Sequence, residues 1–307
     1  ELNIPKPTLN LNAGGGTQAE QTSAIMIRFE DYLFKNNTDL VLVVGDVNST
    51  MACAIVAQKM CIKVAHVEAG IRSNDWTMPE EINRLVTDSI TNYFFTTTKL
   101  ASTNLLNSGH TKEKIFFVGN TMIDTLLANK SRFRKPSIWN HLELNKKKYF
   151  VITLHRPSNV DKETKLIEFI NEIIRTSKDM PLIFPVHPRT EKILKNLGVE
   201  HPRLHLVKPM GYLEFNYLVE RSFAVITDSG GITEETTVLG VPCLTLRDNT
   251  ERPETVSIGT NELIGTSSEN IAPAIKILLK DQWKKGSIPE LWDGQCSKRI
   301  VKILMNL

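Results

Sequence analysis

Short, uninterrupted runs of Val, Ile, Leu and Phe recur along this chain, separated by longer segments of helical period. The runs fall at 39–44, 63–67, 93–97, 115–118, 149–154, 182–186, 204–207, 224–227 and 243–246. They do not alternate apolar with polar residues. Continuous apolar runs are what strands require when both faces of their sheet are covered, as in parallel sheets. Between them, segments such as 160–178 repeat apolar residues every three or four positions. There Leu166, Phe169, Ile170, Ile173 and Ile174 share one helix face. Strand–helix alternation over the whole length predicts an α/β fold with parallel sheets. A chain of 307 residues favours two domains over one, and an apolar content of 41% supplies their cores. The polar, basic stretch 119–148 reads as the boundary region. The last helical segment, Ser297 to Leu307, is suited to pack on either half.

Charge excludes several partners. The 37 bases and 34 acids are scattered and leave a net charge of +3. A nucleic-acid binder shows a basic face or run instead. The strongest run, Lys146 to Lys148, reads as a solvated loop. No apolar run approaches the roughly 18 residues of a membrane span, and no signal-peptide pattern is present. Cys53, Cys61, Cys243 and Cys296 form no CxxC pair, which fits a reducing, cytoplasmic setting. Neither GxGxxG nor GxxxxGK[ST] occurs, so a nicotinamide or ATP cofactor has no support, and the reading is of a protein without a cofactor. No carboxylate sits at ligand spacing beside His155 or His187, so no metal is expected. The glycine-rich stretch 12–20 has no preceding strand and no lysine after it, and reads as a loop.

In open α/β sheets ligands bind beyond the carboxyl ends of strands. Asp46, Glu68, His155, His187 and 228–231 all stand there, and together they point to a ligand site. In "TDSGGITEET", Ser229, Gly230 and Gly231 open a helix. Its free N–H groups and dipole suit a diphosphate, with Glu235 one turn further in for ribose hydroxyls. The competing reading is a tight turn capped by Ser229. Arg247 and Arg252 follow the next strand and face phosphate or pair with neighbouring acids. "LHRPSN" and "PVHPRT" each place His and Arg, with proline, directly after a strand, offering His155, His187 and Arg189 as proton donors or anion ligands. In "HVEAGIRSNDWTMPEEINR", Glu68 follows a strand and precedes Gly70, where backbone passes close to a ligand. With Asp46 it forms a pair of strand-end carboxylates, the arrangement that divides acid from base roles. Glu80 has two readings. It closes a capping box with Thr77, Pro79 standing in the first turn, and pairs with Arg84 four residues on; or it faces the ligand.

Taken in order, "GDVNST", "HVEAGIRS", "MPEEINR", "LHRPSN", "VHPRT", "TDSGGITEE" and "RDNTERPE" resemble the non-hydrolysing UDP-N-acetylglucosamine 2-epimerases over essentially the whole chain. The resemblance implies two Rossmann-like domains in the glycosyltransferase-B arrangement: an incomplete first domain over 1–119, a UDP-binding domain over 120–291, and a C-terminal helix over 292–307 returning to the first. It implies UDP-GlcNAc as substrate, UDP-ManNAc as product, elimination and re-addition of UDP as chemistry, a homodimer, and supply of surface-polysaccharide precursors. By motif, Asp46, Glu68 and Glu80 look like the acid/base group, and His155 like the residue that assists UDP departure. Arg72, His187, Arg189, Phe215 (beside uracil), Ser229, Gly230, Gly231, Glu235 and Arg252 look like substrate contacts. Two departures stand out. The strand ending in "GTRPE" that opens the family's sequences has no counterpart here, so an exposed edge on the first sheet is expected. Ser158 replaces a glutamate common in the family, which touches an effector site. Two alternatives remain at this level: a hydrolysing relative that releases ManNAc and UDP, and a non-catalytic UDP-sugar-binding variant.

Overall fold

The computed structural model describes every residue except Asp161 and His187, with backbone alone at 157, 158, 188 and 189. The chain forms two compact units.

The first unit comprises Asn3–Thr121 and Asp293–Leu307. Its elements are α1 (Gln18–Lys35), β1 (Leu40–Val44), α2 (Asn48–Lys59), β2 (Lys63–Ala69), α3 (Pro79–Ser89), β3 (Tyr93–Thr96), α4 (Lys99–Asn107) and β4 (Ile115–Phe117). The strands pair in parallel in the order β1-β2-β3-β4. The glycine-rich loop feeds directly into α1, where Thr17 and Glu20 form a capping box. Leu33 of α1 and Ala54, Val56 and Ala57 of α2 cover Val41, Val43 and Val64. On the opposite face the helix Cys296–Leu304 lays Cys296 and Ile300 against Ala65, Val67, Phe95 and Val118. β1 pairs with β2 alone among the described strands, and its Leu42 and Val44 are exposed.

The second unit comprises Glu1–Leu2 and Met122–Trp292. It holds β5 (Phe150–Thr153), β6 (Leu182–Pro185), β7 (Leu204–Val207), β8 (Ala224–Thr227), β9 (Cys243–Thr245) and β10 (Asn261–Leu263). All pair in parallel, in the order β10-β9-β8-β5-β6-β7. Alternate strand residues feed opposite cores. Phe150, Ile152, Phe184 and Ile226 pack with Leu166, Phe169, Ile170 and Ile173 of the helix Glu163–Thr176. Val151, Ile183, Val225 and Cys243 pack on the other side with Leu218 and Val219. Each such buried side chain contributes about 1.5–3 kcal/mol. The strand order reverses between β5 and β8, and a reversal of this kind opens a crevice at the strands' carboxyl ends.

Among the described residues, nine of the ten strands lie where continuous apolar runs predict them. β10 does not: "NEL" is short and polar, and its buried Asn261 is accommodated by a 2.6 Å bond from the Thr245 hydroxyl.

Candidate active site

At the reversal between β5 and β8, Thr153 and Thr227 close the two strands with a 2.6 Å hydroxyl–hydroxyl bond. The next residue of β8's chain, Asp228, is fully buried. It accepts from the backbone N–H groups of His155 (3.1 Å) and Arg156 (3.0 Å) and from Asn159 Nδ2 (3.1 Å). The His155 ring places Nδ1 2.8 Å from the same carboxylate, while 63% of its side chain remains exposed. Burial pushes the Asp228 carboxyl up, but the bonds from His155, Arg156 and Asn159 outweigh it and hold it below the usual range. Asp228 therefore fixes which edge of His155 faces inward and leaves Nε2 toward solvent. Asp228 stood out in the sequence only as a polar strand end. What marks it is its place beside β5, which needs the sheet order.

One step on, Ser229 is the N-cap of the helix Gly230–Leu239, yet its side chain makes no capping bond. The turn-and-cap reading thus accounts for its position but not for its hydroxyl. A side chain at Gly230 would collide with the Glu251 carboxylate, whereas one at Gly231 meets only Met122 at ordinary contact distance. Arg247 binds Glu251 at 2.6 Å, and Arg252 Nε lies 2.7 Å from Glu234. Both arginines therefore have carboxylate partners, and any anion at this helix start meets them already paired. Burial raises the Glu251 carboxyl, but Arg247, with Arg252 behind it, prevails and holds it at about 2. Glu235 is buried, and burial pushes its carboxyl up against opposing hydrogen bonds from Tyr212 and Asn216. Phe215 is half-buried against the core that contains Leu218 and Val241. His187 and the side chain of Arg189 lie outside the described residues.

In the first unit, Glu68 has φ of +69°, in the left-handed region that costs a non-glycine residue about 1–2 kcal/mol. The ladder between β2 and β3 slips at this point, between Val67 and Ala69. Such an irregularity re-aims a side chain at a strand end. Glu68 is half-buried and accepts a 3.4 Å bond from the Thr121 hydroxyl. Gly70, at φ +76°, has no space for a side chain: a Cβ would strike the carbonyl of Ala101. Its own carbonyl accepts from Asn104 at 2.9 Å. On the neighbouring strand end, Asp46 accepts two bonds from Arg84, from Nε at 3.0 Å and Nη2 at 2.6 Å. Its backbone carbonyl accepts from Asn83 at 2.9 Å.

Two local expectations for α3 fail. Thr77 does not cap the helix, whose N-cap is Met78 with no side-chain cap. Thr77 instead donates both its N–H (3.0 Å) and its hydroxyl (2.6 Å) to Asp75, a short-range bond that forms before the helix begins. Arg84 does not pair with Glu80. It bridges Asp46 and Glu81, reaching Glu81 at 2.7 Å. Glu80 is thereby left without either structural partner assigned to it, half-buried in the first turn. Arg72, expected as a substrate contact, has its Nη1 2.6 Å from the buried Asp88. Glu81 is held below the usual carboxylate range. Burial opposes this, but Ser73, Asn74 and Arg84 all bond to it.

Parallel α/β sheets, an oriented histidine at a switch point and carboxylates fixed at strand ends belong to the enzyme class that the family match identifies. The chain belongs to the UDP-N-acetylglucosamine 2-epimerase family, whose model matches residues 1–305. A Methanocaldococcus jannaschii protein named UDP-N-acetylglucosamine 2-epimerase is 45% identical over 318 residues, covering 99% of this chain and 85% of the relative. A Pseudomonas aeruginosa relative named UDP-2,3-diacetamido-2,3-dideoxy-D-glucuronate 2-epimerase is 38% identical, covering 100% of this chain and 86% of the relative. The crystal structure of the M. jannaschii UDP-GlcNAc 2-epimerase in complex with UDP-GlcNAc and UDP matches with a TM-score of 0.85 at 43% identity. It covers 99% of this chain and 86% of that one. The protein is thus an isomerase of the epimerase class.

Proposed function

We propose that the protein inverts C2 of UDP-GlcNAc to give UDP-ManNAc by eliminating and re-adding UDP. The C2 proton is not α to a carbonyl, so direct removal as a carbanion is unfavourable. In elimination a base takes the C2 proton while the C1–O bond to UDP breaks, leaving a 1,2-unsaturated sugar and UDP. Return of a proton to the other face of C2, with UDP oxygen rejoining C1, completes the inversion. No oxidant or reductant is required. Asp46, Glu68 and Glu80 supply the acid and base groups, and His155, oriented by Asp228, assists departure of UDP. Ser229, Gly230, Gly231, Glu235, Arg252 and Phe215 take the diphosphate, ribose and uracil, with His187, Arg189 and Arg72 as further substrate contacts. The observation that carries the reading is Glu68: a carboxylate kept in the left-handed region at a strand end, beside a glycine with no alternative.

Incubation with UDP-GlcNAc in D₂O, followed by proton NMR, tests the proposal. UDP-ManNAc deuterated at C2 is expected. Free ManNAc with stoichiometric UDP would instead identify a hydrolysing enzyme, and UDP binding without product a non-catalytic sugar-nucleotide binder. The Pseudomonas relative favours a second substrate reading, a 2,3-diacetamido uronate, so the same assay is run with that sugar nucleotide. We further place the enzyme in the cytoplasm as a homodimer that feeds surface-polysaccharide assembly. Four free cysteines and the absence, among the described residues, of any helix long and apolar enough to cross a membrane are compatible with that placement.

A further inference from the structure

α3 is turned inside out. Its Glu81, Asn83, Arg84, Thr87 and Asp88 are buried while Ile82 is exposed. Among these Asp88 lies at 1% exposure. One of its oxygens is 2.8 Å from His66 Nδ1. The other accepts the Gly70 N–H at 3.1 Å and lies 2.6 Å from Arg72 Nη1. His66, itself fully buried on β2, continues the chain: its Nε2 is 2.8 Å from the carbonyl oxygen of Gly45. Gly45 immediately precedes Asp46, and Gly70 stands two residues after Glu68. A single carboxylate thus joins the turn that carries one proposed catalytic acid to the bend that carries another.

Stability gives a poor account of this arrangement. Desolvating a carboxylate offsets most of what its ion pairs return, and apolar replacements of buried ionic clusters are often neutral or better. Asp88 is also out of reach of any ligand. We propose that Asp88 is a positioning residue of the epimerase reaction, which fixes the Asp46 turn through His66 and Gly45 and the Glu68 bend through the Gly70 amide. This rests on the proposed function, and it assigns Arg72 to the same frame: its guanidinium completes the bonding of Asp88. The network also opposes collapse of the left-handed bend, because the Gly70 N–H has a fixed acceptor.

Asp88→Asn keeps the shape but removes the charge and leaves one acceptor oxygen where three donors converge. Residues that orient the ligands of a metal site are worth about 10–100-fold in activity, and that range is taken as the guide for Asp88. The expected result is a fall in kcat of that size with KM changed less than about twofold, and a loss that shrinks when Glu68 is already Gln and shrinks further when Asp46 is also Asn, since linked residues are non-additive. Losses that multiply, or an Asp88→Asn protein with full kcat, overturn the proposal. If Asp88→Asn does not fold, His66→Gln serves, because it cuts the Gly45 link and leaves the Gly70 and Arg72 bonds in place. It should lower kcat without altering exchange of the Gly70 amide, and full kcat there refutes the positioning role. Amide exchange separates this idea from the functional reading. Should the wild type show no epimerase turnover, that reading fails. Faster Gly70 exchange in Asp88→Asn then still supports the frame, and unchanged exchange overturns it.

Discussion

Glu68 shows what a residue can and cannot disclose before its backbone is known. A carboxylate after an apolar run and two residues before a glycine was legible as a site candidate. Its left-handed φ was not, because nothing in "VEAG" distinguishes a regular strand end from a slipped one; the slip is defined by β3, which arrives 25 residues later. The strain makes a prediction with an unusual sign. Asparagine tolerates the left-handed region better than glutamate. Glu68→Asn should therefore abolish turnover while leaving the protein as stable as the wild type or more so, by up to about 1 kcal/mol. For a unit of this size that is a rise of roughly 2–4 °C in melting temperature. Calorimetry beside the epimerase assay checks both. A clear loss of stability would mean that Glu68 is held for its contacts and that its role is structural.

At the scale of elements, α3 explains why short motifs misled in detail while pointing to the right stretch. Thr77, Pro79 and Glu80 match a capping box letter for letter, and Glu80 and Arg84 match an i,i+4 pair. Both patterns lost to partners that only tertiary structure supplies: Asp75 takes Thr77, and Asp46 with Glu81 takes Arg84. A buried arginine bound to two carboxylates outweighs a surface pair worth about 0.3–0.5 kcal/mol. Where an acid so close to the site shows no side-chain partner among the described residues, its substitution separates chemistry from folding. Glu80→Gln should lower kcat at least 100-fold, in the range of general acid–base catalysis, with a melting temperature within about 1 °C of wild type. Thr77→Ala should leave the helix intact, because it removes a bond to Asp75 and no cap. A melting point lowered by Glu80→Gln with turnover kept would restore the capping interpretation.

At the scale of the whole molecule, the parallel α/β class followed from continuous apolar runs, but the order of strands did not. The reversal between β5 and β8, which brings Asp228 under His155, is a property of the sheet and of no single segment. Six enclosed carboxylates fall into two opposing groups. Asp88, Asp228, Glu81 and Glu251 are held low by donors around them, against burial. A carboxyl depressed in the folded state contributes stability above its unfolded value, and that contribution is lost as pH falls through the folded value. For Glu251 the window runs from its ordinary 4.5 down to about 2. Glu235 and Glu254 are raised by burial, so each costs stability as pH rises from its ordinary 4.5 toward its folded value, and the cost persists above it. Urea unfolding across pH should therefore show stability falling steeply below pH 4.5, and a shallower fall in Glu251→Gln. Glu254→Gln, which removes a charge that burial disfavours, should be more stable than wild type at pH 8 and lose that advantage in acid. An equal difference at both pH values would show that the substitution acts through packing and that Glu254 is not titrating.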